Sequence, residues 1–84
     1  MIQLVYLARL REALGTPSEN LELPGGVGTV AGLLAWLCAR GGAWAAELAP
    51  GRAVRVAVNF AVAKPETPIK AGDEIALFPP VTGG

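Results

Sequence analysis

The chain contains no histidine and a single cysteine, Cys38, among its 84 residues. The first absence removes the commonest general base and the commonest metal ligand, and the second excludes an internal disulfide framework and fits a reducing, cytoplasmic setting. Charge of one sign is also missing, because seven basic residues balance seven acidic ones. Such a chain offers no net field to nucleic acid phosphates or an anionic membrane, so neither is expected as a partner. No apolar run approaches the length of about 18 residues that spans a bilayer, and Met1-Ile2-Gln3-Leu4 does not read as a basic leader. A length of 84 residues is one small domain, with room for a core but not for a core and an ordinary internal substrate cavity, so independent enzyme activity is not expected.

What is present is apolar material, 52% of the residues, arranged with clear periods. Ile2, Leu4 and Tyr6 alternate with Gln3, Val5 and Leu7, as in a strand with a buried face. Arg9 to Leu14 reads as a short helical turn ended by Gly15, and Asn20 to Leu23 as a second strand. After the breaker Pro24-Gly25-Gly26-Val27-Gly28, Thr29 is the expected N-cap of a helix whose apolar stripe is Val30, Leu33, Leu34, Leu37 and Cys38. Gly41-Gly42 ends it beside Arg40, and Ala43 to Leu48 reads as a second short helix. Val54, Val56 and Val58 mark a further strand, Phe60 to Ala63 a brief return strand, Pro65 to Pro68 an irregular stretch and Lys70 to Asp73 a turn into the last strand, Glu74 to Phe78. This order predicts an α+β fold of the ubiquitin-like β-grasp kind, a mixed sheet crossed by one long helix. An open ferredoxin-like sandwich is the rival, but it requires two comparable helices.

Several residue patterns invite a site. Gly26-Val27-Gly28-Thr29-Val30-Ala31 matches the glycine-rich loop of dinucleotide-binding proteins, yet the acidic residue due about twenty positions later falls at Glu47, within an Ala-rich helical stretch. Cys38 lies on the apolar helix stripe, without a nearby histidine or lysine cluster to activate it, and is expected as a small packed hydrophobe. Adjacent strand residues point to opposite faces, so Asp73 and Glu74 are expected as turn and surface residues and not as an acid and base pair. Trp36 and Trp44 are expected to pack at or just below the core surface, and for Phe78 a core role and a partner contact are both open.

The carboxyl end is the most informative segment. Pro79-Pro80 removes two backbone donors and forbids further pairing, so residues 79–84 are expected as an extended reactive tail projecting from a domain of residues 1–78. From Pro79 onward that tail reaches at most about 20 Å, and Gly83 and Gly84, lacking side chains, suit entry into a narrow channel.

Gly72-Asp73-Glu74-Ile75-Ala76-Leu77-Phe78-Pro79-Pro80-Val81-Thr82-Gly83-Gly84 resembles the C-terminal signature of the small subunit of molybdopterin synthase, the MoaD branch of the ubiquitin-like sulfur carriers. The opening strand, the following Leu10-Arg11-Glu12 and the Val58-Asn59 strand end resemble that family too; many of its members carry two aromatics before the prolines where this chain has Leu77-Phe78. The resemblance implies that the Gly84 carboxylate is adenylated by a partner similar to ubiquitin-activating enzymes, which uses ATP and magnesium, and is then converted to a thiocarboxylate with sulfur from a donating enzyme. It further implies that Gly83, Thr82 and Val81 thread into the large catalytic subunit of the synthase, that Phe78, Pro79 and Pro80 bind partners, and that sulfur passes to a pyranopterin monophosphate to build molybdopterin. The chain itself would hold no cofactor or metal and would act as the non-catalytic subunit of a hetero-oligomer. Three other readings compete: the thiamine-pathway carrier, a ubiquitin-like modifier joined to lysines, and a plain interaction module whose tail is dispensable.

Overall fold

In the computed structural model, residues 1–49 and 51–80 are described. They form five strands and three helices: β1 (Ile2–Tyr6), α1 (Arg9–Leu14), β2 (Ser18–Leu21), α2 (Val30–Cys38), α3 (Gly42–Leu48), β3 (Arg55–Val58), β4 (Ala61–Val62) and β5 (Glu74–Phe78). The sheet order is β2-β1-β5-β3-β4, with β1 and β5 parallel and every other pair antiparallel. A parallel pair needs a long crossover, and the chain between β1 and β5 supplies it. This is the expected α+β β-grasp arrangement, and none of its helices is long and apolar enough to cross a membrane.

The alternation in β1 and β5 decides which face is buried. Ile2, Leu4 and Tyr6 of β1 and Ile75 and Leu77 of β5 point inward with Val56 of β3, and meet Leu10, Val30, Leu33, Leu37, Leu48 and Ile69. Thr29 caps α2 as its sequence position predicts, its Oγ1 accepting from the Gly32 backbone N–H at 3.1 Å. Beyond α2, Gly41 and Gly42 take φ of +79° and +55°, a region that costs other residues, and turn the chain directly into α3.

Four expectations need correction. The helix across the sheet is nine residues long rather than extended, and it shares the covering layer with α1 and α3. The second strand runs Ser18–Leu21, two residues earlier than its apolar pattern suggests, because Tyr6 reaches across to Glu19 and fixes the register. Phe60 belongs to a turn and not to the return strand, which is only Ala61–Val62. Asp73 is buried at 5% exposure: its carboxylate accepts from Asn59 Nδ2 at 3.0 Å and from the Lys70 backbone N–H at 2.9 Å, so its polar atoms are satisfied inside.

A second polar network closes the helical side. The Tyr6 hydroxyl donates to Glu19 Oε2 at 2.7 Å, and the Arg40 guanidinium binds both Glu19 oxygens at 2.9 and 3.1 Å. The same guanidinium lies over the rings of Trp36 and Trp44, 5.0 and 4.6 Å from their centroids, while Trp44 meets Tyr6 edge to face. Trp44 is therefore half-buried as expected, whereas Trp36, at 39% exposure, is a surface plate held by Arg40.

Candidate functional site

The tail leaves from the middle of the sheet. Phe78, the last residue of β5, pairs with Arg55 on one side, and on the other Leu7 donates its N–H to the Leu77 carbonyl at 3.0 Å. Pairing ends here on both sides, because β1 stops at Tyr6 opposite Leu77, β3 begins at Arg55 opposite Phe78, and Pro79 has no N–H to extend either ladder. Phe78, Pro79 and Pro80 are half-buried. The sequence-predicted site residues Val81, Thr82, Gly83 and Gly84 lie outside the described residues.

Pro79 and Pro80 line an open hollow of about 550 Å³ with Arg9, Gly51, Arg52 and Ala53. Both arginines bind one carboxylate oxygen of Glu47, Arg9 at 2.6 Å and Arg52 at 3.3 Å. The Arg9 guanidinium first, and Arg52 after it, hold the Glu47 carboxyl below the usual carboxylate range. Two cations share a single anion at the root of the tail, so the exit carries positive charge although the whole chain is neutral.

The outer face of the sheet carries a row of apolar side chains that the sequence did not single out. Val5 pairs with Ala76, Ala76 with Ala57 and Ala57 with Val62, and register partners share a face. The helices lie on the opposite, buried face, so this row faces outward. Val62 stands at 77% exposure, Leu7 is also exposed beside the tail exit, and Phe60, at the end of the β3–β4 hairpin, is 87% exposed. Outward alternation in the Val54 to Val62 stretch was the available signal, but it reads equally well as a half-buried strand.

The other sequence candidates are placed away from this exit or are occupied. In the glycine-rich loop, the N–H groups that would cradle a phosphate are already used: Val30 donates to the Thr67 carbonyl at 3.0 Å, Ala31 to Pro65 at 2.8 Å and Gly32 to Thr29 Oγ1. Dinucleotide binding by that loop is thereby excluded. Cys38 is partly buried, its Sγ 3.9 Å from the Ala45 carbonyl, and lines an apolar groove with Leu34, Leu48 and Val54 on the helical side. Among the described residues no group of three His, Cys, Asp or Glu side chains could hold a metal ion.

Comparison with known proteins agrees with that geometry. The ThiS family model matches residues 4–84. The molybdopterin synthase sulfur carrier subunit of Escherichia coli is 37% identical over 84 residues, with the whole of both chains covered. Among solved structures, a Pyrococcus furiosus protein put forward as molybdopterin converting factor subunit 1 superposes with a TM-score of 0.76 at 29% identity, over 95% of this chain and 97% of that one. SAMP1, a small archaeal modifier protein from Haloferax volcanii, gives 0.72 at 30% identity, over 99% and 98% of the two chains. With a family model covering nearly all of its length and full-length relatives above 30% identity, the chain belongs to the ThiS family, and within it resembles the molybdopterin synthase sulfur carrier subunits.

Proposed function

We propose that this chain is the sulfur carrier subunit of a molybdopterin synthase, acting in the cytoplasm and working through Gly84. A carboxylate is ionised at neutral pH and transfers its acyl group poorly, because oxide is a bad leaving group. Attack of a Gly84 carboxylate oxygen on the α-phosphorus of ATP, releasing pyrophosphate, gives an acyl adenylate. A persulfide sulfur on a donor enzyme then displaces AMP to give an acyl disulfide, and a second thiol attacks the donor-side sulfur, releasing the thiocarboxylate and leaving a disulfide on the donor. ATP, magnesium and the catalytic groups belong to an activating partner related to ubiquitin-activating enzymes. In the large synthase subunit the thiocarboxylate sulfur bonds to a pyranopterin monophosphate precursor, and water cleaves the acyl–sulfur bond, leaving the sulfur on the precursor and a carboxylate to be charged again.

The observation that carries this reading is the central strand β5 ending at Phe78 with two prolines directly after it, in a chain 37% identical end to end to a protein named as such a carrier. Phe78, Pro79 and Pro80, half-buried beside exposed Leu7, form the contact that meets the partner around its channel. Gly83, Thr82 and Val81 thread the channel, where small and β-branched residues pass with little bulk.

Intact mass spectrometry after incubation with ATP, the cognate activating enzyme and a sulfur donor tests the proposal. The expected result is the mass gain of one sulfur replacing one oxygen, located in the terminal peptide and absent when Gly83 and Gly84 are deleted. An unchanged terminal peptide would rule the reading out. The 30% identity to SAMP1 favours one alternative, a protein modifier, which predicts isopeptide conjugates to lysine in cell extracts. A sulfur donor predicts none.

A further inference from the structure

The β3–β4 hairpin carries a residue that its own turn disfavours. Val58 pairs with Ala61, so Asn59 and Phe60 alone make the loop, and both have positive φ, +50° and +71°. Two-residue hairpin loops with positive φ at both positions favour Asn followed by Gly, because only the second residue's lack of a Cβ removes the steric penalty. Asn59 fits its place; Phe60 does not.

The turn is held in this conformation from outside. Asn59 donates its N–H to the Glu74 carbonyl at 2.8 Å, its Oδ1 accepts from the Glu74 N–H at 3.0 Å and its Nδ2 donates to buried Asp73 Oδ1 at 3.0 Å. These bonds fix the hairpin against the start of β5. The phenyl ring contributes nothing to the core in return, since Phe60 is 87% exposed and outside the buried cluster. Backbone strain of this sort persists where the surrounding structure over-determines it and often marks a contact site.

The geometry points to Phe60 as an anchor that inserts into an apolar pocket on the protein that receives the tail. This rests on the carrier reading above. The continuous outward row Val62, Ala57, Ala76 and Val5, with Phe78 two residues further along β5 beside Arg55, links the hairpin to the end of β5 on one face. Arg55 to Val58 and the turn cover roughly 15 Å at strand spacing. A protein interface of ordinary size buries about 800 Å² a side, a disc roughly 30 Å across, so a partner seated on the tail exit and lying over this face reaches Phe60. Exposed, pre-oriented aromatics of this kind supply a large share of binding in such interfaces. A second copy of this chain is a poorer occupant, because the two edge strands, β2 and β4, are only four and two residues long.

The test uses the full chain and the purified large synthase subunit of the same organism, with Phe60→Gly as the variant. The expected result is a higher melting temperature, from relief of the turn, together with dissociation from the large subunit accelerated at least tenfold. Phe60→Leu should restore part of the residence time without the gain in melting temperature. Unchanged dissociation of Phe60→Gly would overturn the anchor role, and a lowered melting temperature would overturn the strain on which it is argued. If the wild-type chain itself fails to bind the large subunit, the carrier reading fails instead, so the two failures are separable.

Discussion

The Tyr6 hydroxyl and the Glu19 carboxylate sit 2.7 Å apart, and this one bond joins the buried strand β1 to the edge strand β2 and, through Arg40, to the end of α2. Burial first, and the bond to Glu19 after it, raise the Tyr6 phenol far above its ordinary range. A folded pKa above the unfolded one means that above about pH 10 the native state keeps a proton the unfolded chain has lost. Stability should then fall by about 1.4 kcal/mol per pH unit. In Tyr6→Phe the alkaline loss should largely vanish, at the expense of about 1–2 kcal/mol at pH 7 from the missing bond to a charged acceptor. Urea unfolding between pH 7 and 11 checks both.

At acid pH the sign reverses. The Arg40 guanidinium lowers the Glu19 carboxyl, and the bonds from Asn59 and Lys70 lower Asp73, so both contribute stability that is present above their unfolded pKa values near 4. That stability is lost as pH falls through the still lower folded values. The urea midpoint should hold from pH 7 to about 5 and drop below about 4. Asp73→Asn should be less stable at pH 7, because its amide confronts a donor N–H at one of two positions, and its acid decline should be shallower.

Thr29→Ala removes the side-chain acceptor at the start of α2 and should cost about 1 kcal/mol. Circular dichroism followed through urea unfolding would show this as a lower midpoint with an unchanged slope. The neighbouring N–H groups of Val30 and Ala31 keep their loop carbonyls, which confines the effect to one bond.

Two valine- and leucine-sized positions should behave oppositely. Leu37 is fully buried, and Leu37→Ala should cost about 2–5 kcal/mol, enough to unfold much of a domain this small at moderate temperature. Val62→Ser, on the outward face, should change stability by no more than about 0.5 kcal/mol. Its effect should appear in affinity for the large subunit, measured by calorimetry.

The legible parts of the fold were those where burial imposes a period. Ile2, Leu4 and Tyr6, the stripe from Val30 to Cys38, and Val56 announce their elements, since one face of each must leave water. β2 was displaced by two residues in the sequence reading because an edge strand carries polar side chains on most positions and its register comes from Glu19 meeting Tyr6, a contact with no local period. Asp73 looked like a surface turn residue, and only the approach of the β3–β4 hairpin, remote in sequence, makes it a buried acceptor. Of the site, the paired prolines were legible because their rings constrain the backbone where β5 ends, whereas Gly83 and Gly84 lie outside the described residues. The arginine pair around Glu47 comes from three-dimensional juxtaposition and left no pattern to read, and the outward apolar row showed only as an alternation that any half-buried strand shares.

The position of β5 between β1 and β3 has a mechanical consequence. A pull on residues beyond Pro80 loads two hydrogen-bond ladders along their length, so many bonds must yield together rather than one after another as in peeling an edge strand. The folded body therefore resists a force applied at Pro80 until both ladders shear at once.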